Sequence, residues 1–274
     1  MKPNSISTLF FFCAAIFFTG CVGRQAYYVS PFNGLNNHYH TIPLQADSIR
    51  SAFYAKGSLS WGHANDFRED RSFAGNLNLS HSLNFGSFQA FYGAGVSTGS
   101  FSVDTFEMNG NNETVNPSVI NAAAGKKRFS GVGFEGGINV VVPMQNGEWR
   151  ALGVETSFRK EFGSYLAFRK NLPDSAATWI VRSDTYGTIG GFTEILAEGH
   201  LTTYGFKFGA GTVIGKNYRS RSIVDNGIGG QNLIYNYLHI TFHLTRGKWT
   251  GYLQCNDATK ATAFLMGANY RFGK

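Results

Sequence analysis

The chain has 274 residues and a net charge of +7, with 43% hydrophobic but only 15% charged residues. Soluble domains carry about 25% charged residues, and the 34 glycines here are nearly twice the usual share of about 7%. With 15% aromatics and no basic cluster, this composition excludes a charged-surface soluble domain and a nucleic-acid binder.

The elements begin with a leader. Lys2 precedes an apolar stretch from Ile6 to Phe18, broken only by Ser7 and Thr8, and Phe18-Thr19-Gly20-Cys21 comes next. A positive start, a short apolar run and small residues before a cut describe a secretory signal over residues 1–20. The run is shorter than the ~20 apolar residues of a membrane helix. Cys21 directly after Thr19-Gly20 resembles a lipobox, with Phe18 where leucine is usual. The resemblance implies cleavage before Cys21 and attachment of diacylglycerol to its thiol. It also implies outer-membrane sorting, since no aspartate stands after the cysteine. Cys13 leaves with the signal, so Cys255 has no partner for an intramolecular disulfide.

Residues 21–48 are aromatic, Asn-rich and without period. They read as an N-terminal tether, packed in part into the mouth of the domain beyond it. From Ser51 apolar and polar residues alternate, the period of a strand. The first strand sets Phe53, Leu59 and Trp61 against Tyr54, Lys56 and Ser58. The second sets Phe73, Leu77 and Leu79 against Asn76 and Asn78, and the third Phe88, Tyr92 and Val96 against Gln89 and Phe91. After a polar stretch at 104–127, the fourth opposes Phe134 and Ile138 to Glu135 and Asn139. The fifth opposes Val154 and Phe158 to Glu155 and Arg159. Residues 163–200 carry no clear pattern. The sixth strand has Phe206 and Phe208 against Lys207, and the seventh Ile240 and Phe242 against His239, Thr241 and His243. The last has Phe264, Met266, Tyr270 and Phe272 against Asn269 and Arg271.

Strands of about ten residues span a membrane when tilted. The faces opposite the apolar ones hold Gly, Asn and Ser where a soluble sandwich would hold charge. The expected fold over residues 49–274 is therefore an all-β, up-and-down antiparallel transmembrane β-barrel of about eight strands. Trp249–Leu253 also alternates, so about ten is the alternative. Gly267-Ala268-Asn269-Tyr270-Arg271-Phe272 resembles the terminal-strand signal read by the barrel assembly machinery, although Gly273 and Lys274 come after the aromatic. The chain thus resembles Gram-negative outer-membrane β-barrel proteins with a lipoprotein-type signal peptide. The class implies the cell outer membrane, an N-terminal lipid anchor and contact with outer-membrane lipid and lipopolysaccharide. With periplasmic termini, 104–127 and 163–200 become outer loops. Residues 216–232 then form a periplasmic turn of unusual length.

The inward positions collect Lys56, Glu135, Glu155, Arg159, Lys207, His239, His243 and Arg271. Mixed charges in a narrow barrel must pair, so they read as a structural network. The many inward glycines leave room for water or a thin solute path. His239-Ile-Thr241-Phe-His243-Leu-Thr245 is distantly similar to the His-x-Ser arrangement of lipid A deacylase barrels, with threonine in place of serine. His239 and His243 lie about 13 Å apart along a strand, too far to share a metal. No cofactor and no catalytic site are implied. A structural or surface-interaction barrel is the first reading, a narrow channel the second and a lipid hydrolase the third.

Overall fold

Alternation at period two carries through ten long strands. They are β1 (Ser51–Ala64), β2 (Asp70–Asn84), β3 (Phe88–Val103), β4 (Gly125–Met144), β5 (Gly147–Phe162), β6 (Thr185–Glu198), β7 (Thr203–Ile214), β8 (Asn236–Arg246), β9 (Trp249–Ala258) and β10 (Ala261–Phe272). Every neighbouring pair is antiparallel, and β10 pairs with β1 from Ala261↔Ala64 to Phe272↔Phe53, closing the sheet on itself. The computed structural model describes residues 27–32, 37–46, 49–65, 70–105, 117–177, 179–215, 219–221, 232–259 and 261–273. The signal segment 1–20 and Cys21 lie outside these residues.

Ten strands correct the expected eight. The two additional ones are β6 and β9, and each hides its pattern for a physical reason. The outward face of β6 is Thr185, Gly187, Ile189, Gly191, Thr193 and Ile195, while Tyr186, Phe192 and Leu196 point inward and are buried. Its apolar weight lies on the wrong side for a membrane strand. In β9 the outward face runs Trp249, Gly251, Leu253, Cys255 and Asp257, so the apolar signal stops halfway.

The new count also repairs the topology. Residues 65–69, 104–124, 163–184, 215–235 and 259–260 now connect strands at one end. Residues 85–87, 145–146, 199–202 and 247–248 connect them at the other, where β1 begins and β10 ends. All the long connections share one end, as in barrels with short periplasmic turns and long extracellular loops. The segment 216–232 moves to the long-loop end because β6 precedes it.

Outside, the barrel is apolar. Leu77, Phe134, Leu152 and Leu253 are each at least 60% exposed, and similar side chains ring every strand. Aromatic rings gather at the short-turn end: Phe53 stacks on His81 at 4.2 Å, His81 meets Tyr92, and Trp249 packs on Tyr270 at 4.8 Å. Rings with a polar edge favour the membrane–water boundary.

At the long-loop end a helix, α1 (Pro117–Ala122), lies in the β3–β4 connection, and α2 (Ser164–Asn171) in the β5–β6 connection. Gly163 takes φ +115° just before α2, where a Cβ would press on the Arg128 carbonyl. Tyr165 and Phe168 of α2 are buried with Phe101, Phe129, Ile120 and Trp179 in an apolar cap. Burial pushes the Tyr165 phenol pKa well up. Arg169 of α2 is fully buried, pairing with Glu161 at 2.5 Å and donating to the Val181 carbonyl.

Candidate functional site

The lumen is where the polar faces of all ten strands converge, and the chain's own N-terminal segment occupies it. Tyr27 and Tyr28 pair in parallel with Trp179 and Ile180 at the long-loop end, and the Tyr27 N–H donates to Asn65 Oδ1 at 2.8 Å. Phe32 packs edge-on against Phe129, 5.0 Å between centroids. Residues 37–46 then descend along the wall. Because they form no regular secondary structure, their carbonyls need partners from elsewhere.

The wall supplies those partners in order. Gln254 donates to the Asn37 carbonyl, Ser82 to that of Thr41 (2.9 Å), Arg150 to that of Ile42 (2.9 Å), Gln89 to that of Pro43 (3.0 Å) and Asn84 to that of Leu44 (3.0 Å). The Gln45 N–H donates to Glu148 at 2.6 Å, beside the short turns. The segment therefore enters at the long-loop end and leaves at the short-turn end, deeper than a tether in the mouth.

Three charged groups line the wall, and the first and third take in a residue of this segment. In the first, Glu135 on β4 lies 3.1 Å from His40 of the segment, 3.2 Å from Lys56 on β1 and 3.5 Å from Arg159 on β5. Asn78 also donates to Glu135, and the His40 ring stacks on Phe91 at 4.2 Å. In the second, Glu155 meets Lys207 at 2.6 Å and His239 at 2.9 Å, with the ammonium over the Phe192 ring. In the third, Arg150 pairs with Glu148 at 2.8 Å and Glu194 at 2.7 Å. His243 bridges Glu194, at 2.8 Å, to the Tyr39 hydroxyl, at 3.0 Å.

Seven of the eight inward charges expected from the sequence thus lie in these groups. The eighth, Arg271, stands at the short-turn end and lines a cavity of about 260 Å³ with Lys248, Tyr54 and Tyr39. Sequence reasoning missed Glu148, Arg150 and Glu194. Glu194 belongs to the unrecognised β6. Register shifts between Val140 and Val141 and between Arg150 and Gly153 turn Glu148 and Arg150 inward at even positions, whereas odd positions face inward further along β5. A bulge inserts one residue and re-aims the side chains on one side of it.

The inward glycines do not leave a solute path. A Cβ on Gly205 would overlap the His243 imidazole, one on Gly209 the His239 ring, and one on Gly267 the Tyr252 ring. Gly131 admits Phe32 of the segment in the same way, with a built Cβ 2.8 Å from its ring. Small residues on one strand make space for rings from a neighbour or from the segment. Nor do the histidines assemble with the threonine hydroxyls of the same strand. Thr241 donates to Gln254 at 3.1 Å, Thr245 bonds Thr250 at 2.8 Å, and each histidine is committed to its carboxylate.

A soluble monomer rarely exposes an apolar patch beyond a few hundred Å². Here one encircles a closed sheet whose polar side faces inward, the arrangement that lipid requires. The fold is that of a transmembrane β-barrel. No protein-family model and no curated protein matches the barrel protein's chain. Among solved structures it is similar to an outer-membrane channel from Pseudomonas putida F1, at 12% identity over 82% of this chain and 97% of that one, TM-score 0.45. The translocator domain of the autotransporter NalP from Neisseria meningitidis is 12% identical over 84% of this chain and 91% of that one, TM-score 0.37. OprG from Pseudomonas aeruginosa is 9% identical over 85% and 100%, TM-score 0.36.

Proposed function

We propose that the barrel protein is a narrow outer-membrane channel held shut by its own N-terminal segment. The observation that carries this reading is the course of residues 37–46 through a polar lumen, held largely by side-chain donors to its carbonyls. Such bonds contribute about 0.5–1.5 kcal/mol each net, because water replaces them when they break. A segment held in this way can be displaced in part without unfolding the wall. Glu135, Glu148, Glu155 and Glu194 balance Lys56, Arg150, Arg159 and Lys207 in the lumen groups. That balance suits small neutral or zwitterionic solutes rather than ions of one sign.

A surface-interaction role is the second reading. It is supported by the gathering of the long connections at one end, over the apolar cap. In either case the apolar belt meets outer-membrane lipid and lipopolysaccharide, and β10 is the strand presented to the barrel assembly machinery. Acylation of Cys21 belongs to the proposal, on the strength of Phe18-Thr19-Gly20-Cys21. Its thiol would displace glycerol phosphate from a phosphatidylglycerol donor, forming a thioether, and water would then cleave the Gly20–Cys21 bond.

Swelling of proteoliposomes in small sugars and amino acids tests the channel. The intact protein should admit them slowly, and Tyr39→Ala/His40→Ala faster, with heat-modifiable gel migration checking that both are folded. Fast entry through the intact protein would contradict the shut state. No entry through either would replace the channel with the surface-interaction reading.

A further inference from the structure

We infer that the mature N-terminus emerges on the outer face of the membrane, so that the lipid on Cys21 is seated in the outer leaflet rather than the periplasmic one. The exit direction stands on the fold alone. Its extension to the lipid rests on the acylation proposed above.

Residues 27–29 are fixed on the long-loop side by three contacts. The Tyr27 and Tyr28 backbones pair with Trp179 and Ile180, the Val181 N–H donates to the Tyr28 carbonyl at 2.9 Å, and the Tyr165 hydroxyl donates to the Val29 carbonyl at 3.1 Å. All these partners belong to the β5–β6 connection, the one that carries α2. The segment then passes downward and joins β1 at Ser51, among the short turns. Chain direction through the lumen is therefore from the long-loop side to the short-turn side. Long connections mark the extracellular side of such barrels.

Reach decides the leaflet. Tyr27 lies six residue steps after Cys21, and an extended chain covers at most about 3.3–3.6 Å per residue, roughly 20 Å in all. The apolar belt of an outer-membrane barrel is about 25 Å tall, and the lumen is already filled by residues C-terminal to Tyr27. A lipid tied to Cys21 cannot descend past the belt on either route. It can bend over the rim and enter the outer leaflet directly beneath. The lipid would then act as a clip, holding the outer end of the lumen segment at the rim.

Thiol labelling on intact cells tests both parts. Cys255→Ser removes the one other cysteine of the mature chain, and Arg24→Cys then places a thiol between Cys21 and Tyr27. A membrane-impermeant maleimide should label Arg24→Cys/Cys255→Ser as strongly on intact cells as after the cells are opened. Cys255→Ser alone should stay unlabelled, because the Cys21 sulfur is a thioether. Gln25→Cys/Cys255→Ser serves if the first variant fails to show the heat-modifiable shift of a folded barrel. Labelling of the position-24 or position-25 thiol only after opening or in denaturant would overturn the exit direction. Labelling of Cys255→Ser itself on intact cells would leave the direction standing and overturn the lipid.

Discussion

Glu135 gathers three cationic or histidine partners from two strands and the lumen segment, and its side chain is only 7% exposed. Removing one member of a buried ion cluster leaves the others uncompensated, typically at 3–5 kcal/mol. Glu135→Ala should therefore lose about that much in urea-titrated unfolding, the loss arising from stranded Lys56 and Arg159. A glycine pair separates filled from open space. Gly205→Ala must displace His243 from Glu194 and Tyr39, whereas a Cβ on outward Gly251 meets nothing within 4 Å. The first should cost about 1–3 kcal/mol, as overpacking does, and the second should be near neutral by the same titration. Val154→Arg sets a charge on the lipid face and should cost about 2–4 kcal/mol at mid-depth. Ser157→Arg faces a lumen in which the Ser157 hydroxyl already bonds Thr188 at 2.7 Å, so it should be no milder. A clearly milder Ser157→Arg would mean that the lumen is roomier than its packing indicates.

At the scale of elements, faces were legible in the sequence and counts were not. Phe53, Leu77, Phe134, Val154 and Phe206 all point outward as their alternation predicts, because each strand with a strong apolar face admits one register. β6 escaped because its lipid side is built from Thr and Gly and its inward side carries Tyr186 and Phe192. The three lumen groups were legible only where alternation was, at Lys56, Glu135, Glu155, Arg159, Lys207, His239 and His243. A bulge concealed Arg150. The partners Tyr39 and His40 sit in a segment with no period, since its contacts run to the wall rather than along a repeating ladder of its own. The closing strand gives the sharpest prediction at this scale. β10 pairs with both β9 and β1, so deleting 264–274 opens two ladders. Unpaired backbone cannot be tolerated in lipid. The deletion should abolish the heat-modifiable shift on gels entirely. Retention of the shift would show that the barrel closes without β10.

For the whole molecule, strand number and lumen content are one matter. Eight strands enclose an interior that side chains alone can fill, and ten enclose more. The surplus here is taken up by residues 37–46 and by rings lodged against glycine. On the channel reading proposed above, the segment that completes the packing is also the one that closes the conduit, so stability and a shut lumen would come from the same contacts. Occupancy of the lumen by this segment is the claim on which the channel reading and the exit direction both depend. It is tested most directly by replacing Tyr39 with p-azidophenylalanine, which keeps an aromatic ring between His243 and Tyr252. After irradiation of the folded protein and proteolysis, mass spectrometry should find residue 39 joined to peptides of β8 or β9, within 236–258. Adducts confined to lipid, or to residues outside the barrel wall, would contradict the account.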